Sequence, residues 1–210
     1  VGIVFPYIAR DGFACTDCNN FTSLTGSVVK FNVSSWSNYS IMGAFAGGSG
    51  TLGDPYQIST WTQLNLTRDY LNANYSLINS LSSSDLDYSG IGDDWIPIGT
   101  EGTPFMGSFE GNGNTISDLI AYTPLLDFSG LFGQAGSPER GFGNISNLGL
   151  ININVTGNSY VGGLMGYGYD GYVSNSYVIG DIVGLGDYVG GLIGSRGNIT
   201  HNSYFSGNVS

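Results

Sequence analysis

The stretch Val161-Gly162-Gly163-Leu164-Met165-Gly166 decides how this chain folds, because it returns almost unchanged as Val189-Gly190-Gly191-Leu192-Ile193-Gly194, 28 positions later. A second phrase follows each copy, first as Asn175-Ser176-Tyr177 and then as Asn202-Ser203-Tyr204. A fixed period in this range is typical of repeat architectures, in which each unit buries its apolar face by stacking on its neighbours. The repeated residues favour strands over helices, so the pattern predicts successive coils of β-structure.

The glycine pair inside each copy has a mechanical role in this interpretation. Side chains alternate between the two faces of a straight strand, so residues three apart point in opposite directions. Val161 and Leu164 can therefore share one core only if the backbone bends between them, and Gly162-Gly163 permits such a bend. The alternative is a flexible glycine-rich loop, but such a loop does not need large apolar residues at repeating positions.

These phrases resemble GLUG-motif repeats, which occur in large surface and secreted proteins of bacteria and archaea, including adhesin-like proteins. Residues 50–58 (GTLGDPYQI), 95–99 (WIPIG) and 109–116 (FEGNGNTI) resemble the phrases that precede those repeats. The resemblance covers about residues 49 to 210. It implies an all-β fold, a parallel β-helix or β-solenoid, and a cell-surface or extracellular location. It carries no catalytic residues.

The chain divides into three regions in this interpretation. Residues 1–48 form a β-rich N-terminal region, residues 49–94 form a cap region, and residues 95–210 form the β-solenoid. We expect a loop insertion at residues 137–143, SPERGFG. The predicted coils are 95–128, 129–157, 158–185 and 186–210.

Residues 59–72 are the best helix candidate. Thr60-Trp61-Thr62-Gln63 fits a capping box, and Trp61, Leu64 and Leu71 fall near one helical face. An open solenoid end exposes unpaired strand edges and apolar core, so the helix is interpreted as an N-terminal cap. The alternative is an ordinary packed surface helix.

The N-terminal region contains an apolar run and the chain's two cysteines. Residues 1–9 predict a buried first strand or an extended arm that adds to another subunit's sheet edge. Residues 28–33 alternate in part, as a strand does. Cys15 and Cys18 are too few for a zinc site, and His201 is the sole histidine. In an exported protein a local disulfide between them is the simplest interpretation.

An acidic stretch at residues 84–94 partly fits a calcium loop. Asp85, Asp87, Ser89, Gly90 and Asp93 fall at positions 1, 3, 5, 6 and 9 of that template. Position 12 is Ile96, so the bidentate glutamate is missing. The stretch predicts either a plain polar turn or a weak calcium site, the one cofactor that the sequence suggests.

Composition excludes some classes of partner. The net charge is −11, and Lys30 is the sole lysine. Nucleic acids and anionic membranes need Lys and Arg clusters, so neither is an expected partner. No apolar run is long enough to insert in a membrane.

Two features bear on processing. Val1 in place of Met suggests a mature, processed chain. Nine N-x-S/T sequons are glycosylation candidates in a host that has the machinery. They lie at Asn20, Asn32, Asn38, Asn65, Asn74, Asn144, Asn154, Asn198 and Asn208.

We expect no catalysis, because the carboxylates in the repeats are sparse, and Glu110 and Asp118 have no obvious partner in sequence. The preferred function is a subunit of an extracellular filament, sheath or surface layer. The chain stops almost where another repeat would begin, which predicts head-to-tail self-association through an open coil. The alternatives are a piece of a longer surface protein and an adhesin that binds glycans or cell-envelope polymers through tyrosines. Tyr160, Tyr177, Tyr188 and Tyr204 recur at the repeat period, however, and so predict packing ladders.

Overall fold

Parallel β-strands dominate the computed structural model, which describes residues 7–11, 13–20, 31–33, 39–42, 44–138, 141, 143–199 and 202–210. One short α-helix is present among those residues. The N-terminal strands are antiparallel and are β1 (Tyr7–Arg10), β2 (Phe13–Ala14), β3 (Asn19–Asn20), β4 (Phe31–Asn32) and β5 (Tyr39–Met42).

The first strand is paired on both of its edges. β1 lies between β2 and β5, and β3 pairs with β4. From Tyr7 onward the apolar N-terminal run is thus a strand held within its own chain. The extended-arm hypothesis now concerns residues 1–6, which lie outside the described residues. Residues 21–30, with the first half of the predicted strand at 28–33, lie outside them too.

The strands that follow pair almost entirely in parallel. In chain order they are β6 (Tyr56–Ile58), β7 (Tyr75–Leu77), β8 (Ser108–Glu110), β9 (Thr115–Ser117), β10 (Ile120–Thr123), β11 (Phe132–Ala135), β12 (Asn144–Ser146), β13 (Gly149–Gly157), β14 (Val161–Gly162), β15 (Met165–Ser174), β16 (Tyr177–Gly184), β17 (Val189–Gly190), β18 (Ile193–Ile199) and β19 (Tyr204–Val209).

Two large parallel sheets result. One has the order β11-β15-β12-β8-β7-β6, with β18 joined to β15. The other has the order β10-β13-β16-β19, with β9 joined to β13, and β14 pairs with β17. β6, β7 and β8 are neighbours in the first of these sheets, and from β8 onward the chain alternates between the two sheets. This is a β-helix-like arrangement, as the sequence predicts.

The short strands β8, β9 and β12 each contribute one buried side chain between two polar neighbours. Phe109 is buried between Ser108 and Glu110, and Ile145 is buried in the next strand. The parallel register places Phe109 beside Ile145, and Ile145 beside Val173. Alternate residues share a face, so these side chains stack into a continuous apolar column. A second column contains Ile116, Leu150, Val178 and Phe205.

The glycine pair turns the chain between β14 and β15. β14 ends at Gly162 and β15 begins at Met165, and both Val161 and Leu164 are fully buried. A Cβ atom on Gly162 would lie 2.3 Å from the carbonyl oxygen of Met165, and one on Gly163 would lie 2.6 Å from Val178 Cγ1. Only glycine leaves room for this bend. The structure therefore has the corner that the repeated phrase predicts.

The helix is shorter than predicted and lies at a different point in the architecture. α1 spans Trp61–Leu66, and a 3-10 turn continues over Thr67–Asp69. Thr60 is its N-cap and accepts a hydrogen bond from the backbone N–H of Gln63. α1 connects β6 to β7, which are paired parallel strands. It is a crossover within the β-helix-like body, and the parallel pairing begins at Tyr56, well before residue 95.

Arg68 ties the helical segment to the next part of the chain. Its guanidinium lies 4.2 Å from the centre of the Trp95 ring and donates to the backbone carbonyl of Ile96. Burial lowers the pKa of Arg68 to about 10. Trp61 and Trp95 are both buried, and their indole N–H groups donate to the carbonyls of Ser82 and Leu131.

A different segment closes the N-terminal end of the large sheet. Gln57 in β6 exchanges backbone hydrogen bonds of 2.8–2.9 Å with Ala46 and Gly47 on the edge opposite β7. Phe45 is buried and stacks on Tyr56 at 4.4 Å. The free edge of β6 is thus covered by residues 45–47 rather than by the helix.

Candidate functional site

The strands at the C-terminal end are paired on one side only among the residues that the structure describes. β17 pairs with β14, β18 with β15, and β19 with β16. None of these three has a described strand on its other edge. A strand that is paired on one edge only presents, on its other edge, a row of backbone N–H and C=O groups with which another strand can pair.

Apolar side chains are also exposed at this end. Val178 and Ile182 in β16 are fully buried, whereas Val209, which follows Ile182 in register, is 44% exposed. Tyr204 is 54% exposed, although it stacks on Tyr177. We define the C-terminal face as β17, β18 and β19 with these side chains. One further coil on this face would bury both the strand edges and the apolar surface.

Left-handed backbone corners recur beside the sheets. Asn147, Asn175 and Asn202 have φ of 52°, 47° and 57°, one in each successive turn. Asp118 and Asn152 form a second such pair, with φ of 65° and 54°. Asparagine and aspartate adopt this conformation more readily than other non-glycine residues. The asparagine before each Ser-Tyr phrase indicates such a left-handed corner, and the sequence interpretation did not recognise it.

The repeated tyrosines form ladders, so that prediction is confirmed. Tyr160 and Tyr188 stack at 4.7 Å with 9° between their planes, and Phe128 extends the stack at 4.8 Å. Tyr177 and Tyr204 stack at 5.3 Å. At least one face of each ring is thus in contact with another ring of the chain, which reduces the surface available for a ligand.

Cys15 and Cys18 form a disulfide in the structure, with their sulfurs 2.01 Å apart. Together with Asp17 they are the single group of three metal-ligating side chains that is found in the described ranges. The bonded sulfurs are not thiolates, so the group lacks the donors of a zinc site. Intact-mass analysis of the native protein should show two alkylated cysteines only after reduction.

The acidic stretch makes hydrogen bonds to nearby backbone groups. Asp85 accepts from the N–H of Ser82, Asp87 from the N–H of Thr62 in α1, and Asp93 from the N–H of Gly90. These carboxylates do not form a described group of three ligands within 4.8 Å of one another. Ser89 donates to Asp93 at 3.5 Å. Calcium binding here stays a prediction, and absence of calcium heat in millimolar calorimetry would contradict it.

The glycosylation candidates differ in how their amides are used. Asn154 is exposed, whereas Asn74 Nδ2 donates to the Gly50 carbonyl and Asn208 Nδ2 to Asp181. Asn38 lies outside the described residues. Asn20, Asn32, Asn65, Asn144 and Asn198 have a described backbone in strands or in α1. Glycosylation stays a prediction.

The two carboxylates singled out in the first repeat both have partners. Glu110 accepts from Asn147 Nδ2 at 2.8 and 3.0 Å and from Ser146 Oγ at 2.7 Å. Asp118 accepts from Ser83 Oγ at 2.6 Å and from Asn152 Nδ2 at 2.7 Å. These bonds, that of Ser83 first, hold the pKa of Asp118 below its usual value. His201 lies outside the described residues.

Across the described parts of the chain, no helix has the length and apolar character needed to cross a lipid bilayer.

Comparison with known proteins finds two similar sequences and one similar fold. No family model matches the chain. Halomucin of Haloquadratum walsbyi is 32% identical over 154 residues, which is 70% of this chain and 2% of halomucin. A protein of Evansella cellulosilytica described as a Gly-rich membrane protein is 35% identical over 137 residues, which is 62% of this chain and 15% of that protein. The chain thus corresponds to a small part of both.

A crystal structure of a Bacteroides ovatus protein described as an immunoglobulin A1 protease has a similar fold. The TM-score is 0.57 at 20% identity, and the match covers 79% of this chain and 60% of that one. At this identity the likeness concerns the fold alone.

Proposed function

We propose that this protein is a non-catalytic structural building block of an extracellular surface, whose C-terminal face takes up a further coil of parallel β-structure. The observation that carries the proposal is the contrast between the two ends. Residues 45–47 cover the edge of β6, whereas β17, β18 and β19 keep a free edge among the described residues. In the isolated chain, a second copy supplies the strand that pairs with this face.

The relatives support a surface setting. One bears the name of a mucin and the other is described as a membrane protein, and both are far longer than the matched segment. Quasi-one-dimensional repeats suit such long proteins, because each unit contacts only its neighbours. The same C-terminal face would serve a coil from the same polypeptide equally well.

Sedimentation velocity of the chain over a concentration series tests self-association. Val209→Lys and Tyr204→Lys place charges on the C-terminal face, and Leu86→Lys, at a residue 96% exposed in the acidic stretch, is the matched control. Association in the wild type and Leu86→Lys, with monomers in the other two, would support the proposal. A wild-type chain that stays monomeric at high concentration would contradict it.

Adhesion to glycans is a second candidate function. It is favoured by a polar groove on the side of the β-helix-like body.

A further inference from the structure

A groove runs across three neighbouring turns at one corner of the sheets. Its lining residues are Glu110, Asn112, Gly113, Asn147, Leu148, Gly149, Asn175 and Tyr177, and its volume is about 380 Å³. The turns follow β8, β12 and β15, so the parallel register places them side by side. The groove is therefore a product of the stacked repeat.

Turn length creates one wall of the groove. The turn between β8 and β9 contains the four residues Gly111 to Asn114, whereas the next turn contains only Asn147 and Leu148. The longer turn is held in place, because Gly113 N–H donates to the carbonyl of Asn147 at 2.8 Å. Asn112 Nδ2 donates to Ser76 Oγ at 2.7 Å. The wall thus consists of fixed backbone and a fixed amide.

A glycine at the end of the tyrosine ladder leaves room for the groove on the side opposite the longer turn. Gly149, Tyr177 and Tyr204 occupy equivalent positions in three consecutive strands. A Cβ atom on Gly149 would lie 2.5 Å from Tyr177 Cζ, so the ring leans over this glycine. The ladder ends here, and the edge of Tyr177 borders the groove.

The polar groups of the groove are held in fixed positions and retain capacity for a ligand. Glu110 is oriented by Asn147, Ser146 and the N–H of Asn112. Asn147 uses its Nδ2 for Glu110, and Asn175 uses its Oδ1 to accept from Asn202. Asn147 Oδ1 and Asn175 Nδ2 make no hydrogen bond to another described residue. The groove thus offers an acceptor, a donor and a carboxylate within adjacent turns.

We propose that this groove binds a neutral oligosaccharide. Sugar hydroxyls both donate and accept, which matches amides beside a carboxylate. No Lys or Arg lines the groove, and the chain carries a net charge of −11, so uronic acids are disfavoured. The groove crosses turns about 4.8 Å apart, so an extended chain of sugars can contact consecutive repeats. This site rests on glycan adhesion, the second candidate function above, and it uses none of the free strand edges of the C-terminal face.

A glycan array followed by calorimetry tests the site in the full chain. The probes are cellohexaose, mannohexaose and chitohexaose, with an oligogalacturonate as the acidic comparison. Asn147→Gly keeps the left-handed backbone but removes the amide that orients Glu110. Asn152→Gly is the matched control, since Asn152 has φ of 54° and binds Asp118 at the other corner. Glu110→Gln removes the charge but keeps the shape.

We expect at least one neutral probe to bind and the acidic probe to be rejected. Asn147→Gly and Glu110→Gln should weaken binding by about tenfold, the worth of roughly one hydrogen bond to a charged group, and Asn152→Gly should not. Circular dichroism shows that the variants are folded. If no neutral glycan binds, or if Asn152→Gly loses as much affinity as Asn147→Gly, the proposal is overturned. Val209→Lys should bind like the wild type, so failure here is distinct from failure of self-association.

Discussion

At the scale of single residues, the left-handed corners set the path of the chain between the sheets. Their side chains bond along the stack, as Asn152 does to Asp118 and Asn202 does to Asn175. One residue thus satisfies both the backbone conformation and the neighbouring repeat. The conformation favours Asn, Asp or Gly and excludes β-branched residues.

Asn152 allows the backbone requirement to be measured. Asn152→Val should lower the free energy of unfolding by about 1–2 kcal/mol more than Asn152→Gly, because φ of 54° strains a β-branched residue and does not strain glycine. Both variants lose the hydrogen bond to Asp118, so the difference between their free energies of unfolding reports the backbone strain. Urea unfolding measures it, and equal midpoints for the two variants would contradict the interpretation.

Asp118 predicts a pH dependence. Its folded-state pKa is lowered, chiefly by the hydrogen bond from Ser83, so on acidification the unfolded chain takes up the proton first. Its stabilising effect is therefore complete above the ordinary Asp pKa and is lost as pH falls through the lower folded value. Asp118→Asn should lower the urea midpoint at pH 7, and the difference from the wild type should shrink towards pH 2.

Asp94→Asn is the control for this pH series, because Asp94 is exposed. A difference between the wild type and Asp118→Asn that stays constant from pH 7 to pH 2 would show that the carboxylate of Asp118 has no such role.

At the scale of elements, α1 depends on its N-terminal bonds, because a six-residue helix is not stable alone. Thr60 Oγ1 accepts from Gln63 N–H, and Asp87 from Thr62 N–H. The acidic stretch thus holds the start of the helix.

Thr60→Ala should cost about 1 kcal/mol of unfolding free energy, the usual worth of an N-cap. Thr62→Ala is the matched control, since it keeps the backbone N–H that Asp87 contacts and alters an exposed side chain. Thermal unfolding measures both variants. Equal losses in the two variants would show that the cap bond contributes nothing measurable.

The sequence reveals the repeat where its spacing is regular and fails where it is not. Met165 pairs with Ile193 at the 28-residue period, and the glycine corner follows from that match. Phe109 and Ile145 are equivalent yet 36 positions apart, because loops of unequal length separate them. The sequence interprets the helix as a cap because it precedes the recognisable repeats, whereas in the structure α1 connects the paired strands β6 and β7. The groove depends on a turn two residues longer than its neighbours and on Gly149. Neither feature can be recognised in the sequence alone, because the strand register must be known before turns and positions can be compared.

At the scale of the whole molecule, repulsion between the negative charges destabilises the folded state. The chain has 16 acidic and 5 basic residues, and Arg10 with Asp17 is the salt bridge seen in the described ranges. Self-repulsion of this kind is screened by salt.

The melting temperature should accordingly rise as NaCl increases from 10 to 150 mM, over which the screening length falls from about 30 to about 8 Å. A gain of 1 kcal/mol corresponds to roughly 2–4 °C for a chain of this size. Equal rises in NaCl and KCl would identify screening, and a melting temperature that does not change in either salt would contradict it.

Because Ala46 and Gly47 pair with β6, the N-terminal end of the molecule can fold before the later repeats do. A polypeptide made N-terminus first completes its closed end before its later repeats exist. Each new repeat then meets a finished strand edge and closes a loop of similar length, so the entropic cost of each step does not grow along the chain. A circular permutant that begins at residue 158 would present its repeats before any surface on which they can fold, and it should fold more slowly although its final contacts are the same.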